Sequence, residues 1–152
     1  MIAIPNGEHI RALLESARTI AVVGLSPRPA RASNQVARYL IAAGYHVIPV
    51  NPGHAEILGL PCYPDLKQVP EPIDIVDCFR RSDQIQAIAE DAVAIGAKVL
   101  WLQLGVVNEA AAEFAEQAGL EVVRDRCIKI DHAVLGVRYR QGDATPSTRS
   151  AS

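Results

Sequence analysis

The residues with the clearest chemical potential form one loop, Gly24–Ser33, which reads GLSPRPARAS. An unbroken apolar run precedes it and a helical pattern follows it, which predicts a buried strand, a turn and a helix. Such a turn offers free backbone N–H groups and the positive end of a helix dipole to an anion. Ser26 adds a hydroxyl, and Arg28 and Arg31 add guanidinium groups that pair with phosphate oxygens. We therefore predict a phosphate-binding loop; the alternative is an ordinary connection with two solvated arginines.

Two features separate this pattern from a nicotinamide dinucleotide site. Ser26 and Pro29 stand where the fingerprint G-x-G-x-x-G has its second and third glycines. The next apolar run ends in Val50-Asn51-Pro52-Gly53, and no carboxylate follows before Glu56. An NAD site normally presents an Asp or Glu at that point to the ribose. Asn-Pro-Gly is also strong turn chemistry, so a plain tight turn is the alternative.

Two later loops carry groups that suit a nucleotide ligand. Phe79-Arg80-Arg81 places two cations just before a predicted helix, where a phosphate would gain the arginines and the helix end. Surface ion pairs with Asp77 or Asp83 are the alternative. Gln103-Leu104-Gly105 offers amide and backbone groups beside apolar side chains, although a buried strand end is equally ordinary there.

Groups for acid–base or nucleophilic catalysis are few. His46 and His54 have no nucleophile nearby in the sequence. Asp131-His132 resembles an acid–base pair, but adjacent residues of a helix or strand point apart, so we expect a structural role. Cys127 lies near Arg124 and Arg126, which favours a thiolate if the thiol is exposed; a buried cysteine is the alternative. The cysteines and histidines show no metal-ligand spacing.

The elements that must position these loops alternate between helix and strand. Gly44, Gly96 and Gly119 each end a helix and return the chain to an apolar run. This alternation predicts a doubly wound α/β fold with a mainly parallel sheet of five to six strands flanked by helices. With an edge strand at Leu60–Tyr63 counted as the third, we predict the order 3-2-1-4-5-6. The expected helix caps are Asn6, Ser33 or Asn34, Ser82 or Asp83, and Asn108.

Length and composition place the chain in one globular class. Its 152 residues suit one domain, which we expect at 1–140, followed by a polar, flexible tail at 141–152. The net charge of −2 gives no reason to expect nucleic acid or acidic membranes as partners. No apolar run is long enough to span a bilayer, and the start lacks a signal-peptide pattern. Three separated cysteines without a C-x-x-C pair fit a reduced, cytoplasmic protein.

Five stretches in order resemble the family of small single-domain CoA-binding proteins, which is similar to the N-terminal domain of the succinyl-CoA synthetase α subunit. They are GLSPRPARASNQVARYLIAAGYHVIPVNPG, GLPCYPDL, IDIVDCFRR, LWLQLGV and VVRDRCIKIDH. The resemblance implies a Rossmann-like domain with coenzyme A along the C-terminal edge of the sheet. It puts these residues in the phosphate and nucleotide loop: Gly24, Leu25, Ser26, Arg28, Arg31 and Ser33. It implies Val50, Asn51 and Pro52 near the adenosine, Phe79, Arg80 and Arg81 beside the phosphates or ribose, and Gln103, Leu104 and Gly105 facing pantetheine.

The sequence ends where the synthetase subunit would continue into its phosphohistidine domain. We therefore expect a module that binds CoA or an acyl-CoA and is not an enzyme. An NAD(P)-binding oxidoreductase and a regulatory or interaction protein with a vestigial pocket are the alternatives, and a protein partner or homo-oligomer stays open. If the thiol of CoA reaches Cys127 or Cys78, a mixed disulfide is a further hypothesis.

Overall fold

A computed structural model of the protein describes residues 7–137. The strands are β1 Thr19–Val23, β2 His46–Val50, β3 Glu56–Ile57, β4 Leu60–Pro61, β5 Ile75–Cys78, β6 Val99–Leu102 and β7 Glu121–Val123. The α-helices are α1 Gly7–Ser16, α2 Ala32–Ala42, α3 Ile85–Ala94, α4 Glu109–Gln117 and α5 Ile128–Val134, and short 3₁₀ turns lie at Leu66–Gln68 and Ser82–Gln84. Among these residues no helix has the length and apolar character that crossing a membrane requires. Asn6 and the expected tail lie outside the described residues.

Five strands form one parallel sheet in the order β2-β1-β5-β6-β7. One apolar cluster packs under α3 and α4, and a second packs on the opposite face under α1, α2 and α5. The prediction of a Rossmann-like α/β fold is therefore confirmed. The chain leaves β1 toward β2 on one side and continues at β5 on the other, so the strand order reverses between β1 and β5. Ligands of such sheets bind beyond the strand ends at that point.

The predicted third strand of this sheet is wrong. β3 and β4 form a separate antiparallel hairpin, and only Tyr63 bridges to the sheet, beside Val50. The Tyr63 amide donates to the Pro49 carbonyl at 3.1 Å, and the Asn51 amide donates to the Tyr63 carbonyl at 2.9 Å. Extending this parallel pairing backward would require an N–H at position 49, on the open edge of β2, and proline has none. The bridge therefore stays one residue long.

Helix ends follow the predictions unevenly. Asn108 caps α4 as predicted, because its side-chain oxygen accepts from the Ala111 amide at 3.0 Å. Gly44, Gly96 and Gly119 take the positive φ angles expected after a helix. The other two predicted caps are wrong. Arg31 and Gln84 occupy the positions before α2 and α3 without a side-chain cap, since Ser33, Asn34, Ser82 and Asp83 lie within the first turn or in a preceding 3₁₀ turn.

Candidate functional site

The four loops expected at the site meet at the C-terminal edge of the sheet. The side-chain amide of Asn51 donates to the Leu25 carbonyl at 2.8 Å, which joins the loops after β2 and β1. Ser82, after β5, accepts at its hydroxyl from the Val107 amide (2.9 Å) and at its carbonyl from the Asn108 side chain (3.0 Å). The loop after β6 is thereby fixed to the loop after β5. The predicted loops form one connected rim.

Gly24 lies at the centre of this rim, in close contact with the loop after β5. Its φ is +88°, and a Cβ at this position would lie 2.8 Å from the Phe79 carbonyl oxygen and 3.0 Å from Cδ of Arg80. Glycine is required here for both its left-handed backbone and its lack of a side chain. The contact brings Arg80 across the first turn of the predicted phosphate loop.

The loop after β1 is held by its own polar side chains. The Ser26 amide donates to the Ser33 hydroxyl at 2.9 Å, and the Asn34 side chain donates to the Ser26 carbonyl at 2.8 Å. The Ser26 hydroxyl accepts from the Arg28 amide at 3.1 Å, which leaves its hydrogen free to donate. Ser33 is buried, so its hydroxyl braces the loop from beneath. These bonds explain why Ser33 and Asn34 are not helix caps.

The arginines of the rim differ in their partners. The side chains of Arg28, Arg31 and Arg80 make no ion pair or hydrogen bond with another residue in 7–137. Arg81 instead pairs with Asp83 at 3.5 Å, with both side chains about three-quarters exposed, as the alternative interpretation expected. Of these side chains, that of Arg80 lies beside Gly24. Guanidinium groups without a partner in residues 7–137 are suited to bind a multiply charged anion.

A cavity of about 410 Å³ opens beside this rim, between the ends of β1 and β2, the turn Leu66–Gln68 and helix α3. That volume is in the range of small-molecule sites. Three predicted site residues line it, Val50, Pro52 and Arg80. The remaining lining is Val23, Pro64, Asp65, Leu66, Asp83, Gln84, Ala87, Ile88 and Asp91.

Sequence reasoning missed the wall that α3 contributes. Gln84, Ala87, Ile88 and Asp91 follow one another at the spacing of a single helix face. The available signal was Asp91, whose carboxylate shares a helix face with the apolar Ile88. A helix face that packs on the core normally has no carboxylate, so this face could have been predicted to border a cavity. The Pro64–Leu66 wall was hidden for another reason: it directly follows Leu60–Tyr63, which was predicted to be an edge strand of the main sheet and lies outside it.

The carboxylates of the cavity are not equivalent. Asp65 accepts from the Gln68 amide and side chain, both at 3.2 Å, and so caps its own 3₁₀ turn. Asp83 pairs with Arg81. Asp91 has only Lys67 at 4.0 Å and no side-chain hydrogen bond within the described part of the chain. Burial raises the pKa of Asp91, and Lys67 opposes that shift.

The loop after β6 places its three predicted residues differently from one another. Gln103 is buried, and its side-chain oxygen accepts from the Ile128 amide at 3.1 Å, so this oxygen is used to hold the start of α5. The Gly105 amide donates to the Asp125 carboxylate at 2.8 Å. Leu104 is 59% exposed. Of the three, only Leu104 has an accessible side chain at the rim.

Asp131 and His132 both have side-chain partners within the fold. Asp131 accepts from Arg126 at 2.6 and 3.0 Å, and the Tyr39 hydroxyl lies 2.8 Å from Nδ1 of His132. Burial lowers the pKa of His132 and raises that of Tyr39. Each of the two residues thus has a side-chain partner within the fold, which is compatible with the structural role expected for Asp131-His132. Within residues 7–137, no cluster of His, Cys, Asp and Glu is arranged to hold a metal ion.

Asp77 and Cys78, the last two residues of β5, are both fully buried. Cys78 is fully buried, and burial raises the pKa of its thiol well above the ordinary value, with the Asp77 carboxylate adding to the effect. Both properties disfavour the mixed disulfide at Cys78. Cys127, which precedes α5, is partly buried, and the hypothesis remains for that thiol. Asp77 is also fully buried, and neither carboxylate oxygen has a hydrogen-bond partner among the described residues. Burial raises the pKa of Asp77 well above its usual range.

Comparison with known proteins agrees with the fold. The family described as "CoA binding domain" matches residues 18–133. The chain is 45% identical over 130 residues to the uncharacterized protein YneT of Bacillus subtilis (strain 168), which covers 86% of this chain and 96% of that protein. It is also 26% identical over 121 residues to acetate–CoA ligase [ADP-forming] I of Archaeoglobus fulgidus, which covers 73% of this chain and 18% of the ligase.

Solved structures show the same relationship. The crystal structure of Prb, a PH1109 protein redesigned for binding, has a TM-score of 0.87 and 38% identity, covering 93% of this chain and 99% of that one. A hypothetical protein from Pyrococcus horikoshii OT3 has a TM-score of 0.85 and 39% identity, covering 89% and 98%. The chain therefore belongs to the CoA binding domain family and is homologous to the N-terminal domain of ADP-forming acetate–CoA ligases.

Proposed function

We propose that this protein binds coenzyme A or an acyl-CoA at the C-terminal edge of the sheet. Its family supports CoA binding in general. The observation that carries the proposal is the cavity beside β2. Arg80 lines this cavity, packs on Gly24 and has no side-chain partner among the described residues. A cavity with a largely apolar lining next to a cationic rim fits a ligand with a flat ring at one end and phosphates beside it.

The adenine of CoA is the part that suits the cavity. Val50, Pro52, Pro64, Leu66 and Ile88 supply apolar surface for a flat ring. The carboxylates of the lining repel phosphates, so the diphosphate lies outside the cavity. This orientation agrees with the adenosine end that the sequence resemblance implied for Val50, Asn51 and Pro52.

The phosphates would lie against the loop after β1. Arg28, Arg31 and Arg80 supply charge, and the first turn of α2 has no side-chain cap competing for its N–H groups. Leu25 and Phe79 hold the loops in place rather than bind, since Leu25 is buried and the Phe79 amide donates to the Val23 carbonyl at 2.8 Å. Hydrogen bonds between the loops fix the rim, and a preorganised rim lowers the cost of binding.

The pantetheine arm would extend from the phosphates toward the loop after β6. Leu104 offers exposed apolar surface there, and Gly105 offers backbone. The side-chain oxygen of Gln103 anchors the start of α5, so we assign this residue a supporting role rather than a direct contact with pantetheine. We infer a binding function for this domain; the segment of the ligase that it matches amounts to 18% of that protein.

A second candidate, NAD binding, draws on Asp65. This carboxylate lines the cavity beside the end of β2, where NAD sites hold the ribose, although no pattern in the sequence pointed to it. Both of its oxygens already accept from Gln68. CoA remains the first candidate because Asp65 is committed to its turn while the arginines are not.

Calorimetric titration of the protein with CoA, dephospho-CoA and NAD tests the proposal. We expect CoA to bind most tightly, since it carries the largest negative charge toward the arginines. Affinity should fall as salt is raised, because the contacts are charge-assisted. Tighter binding of NAD than of CoA would establish the second candidate, and no heat with any of the three would overturn the proposed function.

A further inference from the structure

We propose that Asp91 makes this site selective for an adenine base, by accepting a hydrogen bond from the 6-amino group of the purine. The inference rests on the proposed function, since it needs a nucleotide base in the cavity. It adds a specificity-determining residue on α3, the wall that the sequence did not reveal.

The position of Asp91 in the cavity fits this role. It lies seven residues beyond Gln84 on the same helix face, so it is about 10 Å from the start of α3. Arg80 and the helix start mark the phosphate side of the cavity. Asp91 is therefore at the far side, and the 6-amino group is on the edge of the purine away from the ribose. Ile88 lies one turn before Asp91 and provides the apolar contact between the two ends.

The bonding state of Asp91 distinguishes it from the other acids. Asp65 caps a turn and Asp83 pairs with Arg81, so their oxygens have closer partners. The side chain of Asp91 is only 28% exposed, and its sole ion-pair partner in residues 7–137 is Lys67, at 4.0 Å. A carboxylate with so little solvent and so weak a partner has free acceptor capacity facing the cavity.

The chemistry gives a direct discrimination. Adenine presents an N–H donor at position 6, which a carboxylate accepts. Hypoxanthine presents a carbonyl oxygen there, which a carboxylate repels and which leaves both acceptors unpaired. A hydrogen bond to a charged group of this kind supports a preference of about 10- to 100-fold for the amino base.

The test compares CoA with its 6-oxo counterpart, in which hypoxanthine replaces adenine, by calorimetric titration at one salt concentration. Wild-type protein should prefer CoA by at least about tenfold. Asp91→Asn should reduce that preference to within a few-fold, because an amide presents either a donor or an acceptor. Glu90→Gln is the matched control: it removes one charge from the adjacent, exposed residue of α3, and the preference should persist.

The possible outcomes distinguish a failure of the role assigned to Asp91 from a failure of CoA binding itself. If wild-type protein binds CoA and its 6-oxo counterpart equally, the assignment of Asp91 is wrong while CoA binding stands. The wild-type comparison decides this even if the Asp91 variant does not fold. A preference that survives Asp91→Asn also overturns the assignment. If neither ligand binds wild-type protein, the proposed function itself fails.

Discussion

At the scale of single residues, the cations of the rim differ in what they already bind. Arg80 packs against Gly24 and has no acceptor among the described side chains, whereas Arg81 points to solvent and pairs with Asp83. Adjacent arginines of equal charge therefore have different capacity for a phosphate. From the sequence alone, the same phosphate-binding role was predicted for both arginines.

Replacing Arg80 should weaken CoA binding far more than replacing Arg81. A charge-assisted contact to phosphate supports about a 10- to 100-fold loss for Arg80→Gln. For Arg81→Gln, an exposed charge already paired with Asp83, we expect at most about threefold. Calorimetry on both variants gives the comparison. Equal losses would show that the rim acts only through its total charge.

Gly24 should tolerate a methyl group less well than Gly53 does. Both have positive φ, at +88° and +95°, so alanine is strained at each. Only at Gly24 would the Cβ meet the Phe79 carbonyl, while nothing lies within 4 Å at Gly53. We expect Gly24→Ala to lose about 1–3 kcal/mol more unfolding free energy than Gly53→Ala. Urea unfolding measures it, and equal losses would refute the close contact.

Asp77 should make the fold less stable as pH rises. Its pKa is raised by burial, so the unfolded chain loses this proton first, from about pH 4, and the folded state becomes comparatively unfavourable above that. Asp77→Asn cannot ionise. Its stability relative to wild type should therefore increase from acid toward neutral pH, as followed by urea unfolding across that range. A difference that does not change with pH would mean that Asp77 ionises normally in the fold.

At the scale of elements, the helix that follows the loop after β6 begins with a side-chain cap. Asn108 accepts from the Ala111 amide and donates to the Ser82 carbonyl. Asn108→Ala should cost about 1 kcal/mol of unfolding free energy through the lost cap. Asn108→Asp keeps the acceptor and loses only the donor, so its cost should be smaller. If the aspartate costs as much as the alanine, the bond to Ser82 matters more than the cap.

The sequence predicted the elements well because their signals are local. Apolar runs and glycines after helices mark β1, β2, β5 and β6, and their alternation with helices implies the parallel sheet. The third strand failed because pairing depends on backbone donors between distant segments, and Pro49 lacks one. The prediction of Ser33 as a helix cap was wrong because its hydroxyl accepts a hydrogen bond from the amide of Ser26, seven residues earlier. A pattern of residue types along the chain does not show which of several possible donors a hydroxyl will bind.

The candidate site was predictable in the same uneven way. The loops that follow strands were identified correctly as neighbours, since parallel strands end at one edge. The cavity was not, because its walls come from α3 and from the segment after the hairpin, which only the folded chain brings beside Val50. Asp91 belongs to that unpredicted wall.

At the scale of the whole molecule, the reversal of strand order between β1 and β5 determines where the candidate site lies. It brings the loop after β1 against the loop after β5, and it leaves the cavity beside β2 open to the same edge. Arginines without a side-chain partner in residues 7–137 lie on the rim, whereas carboxylates line the cavity. A ligand with separate phosphate and base ends matches that division.

The most direct measurement is a crystal structure of the protein soaked with CoA. The account predicts a purine ring in the cavity between Pro52 and Ile88, and a diphosphate against Gly24 and Arg80. Density for the diphosphate inside the cavity, or a CoA bound elsewhere on the surface with this cavity empty, would contradict it.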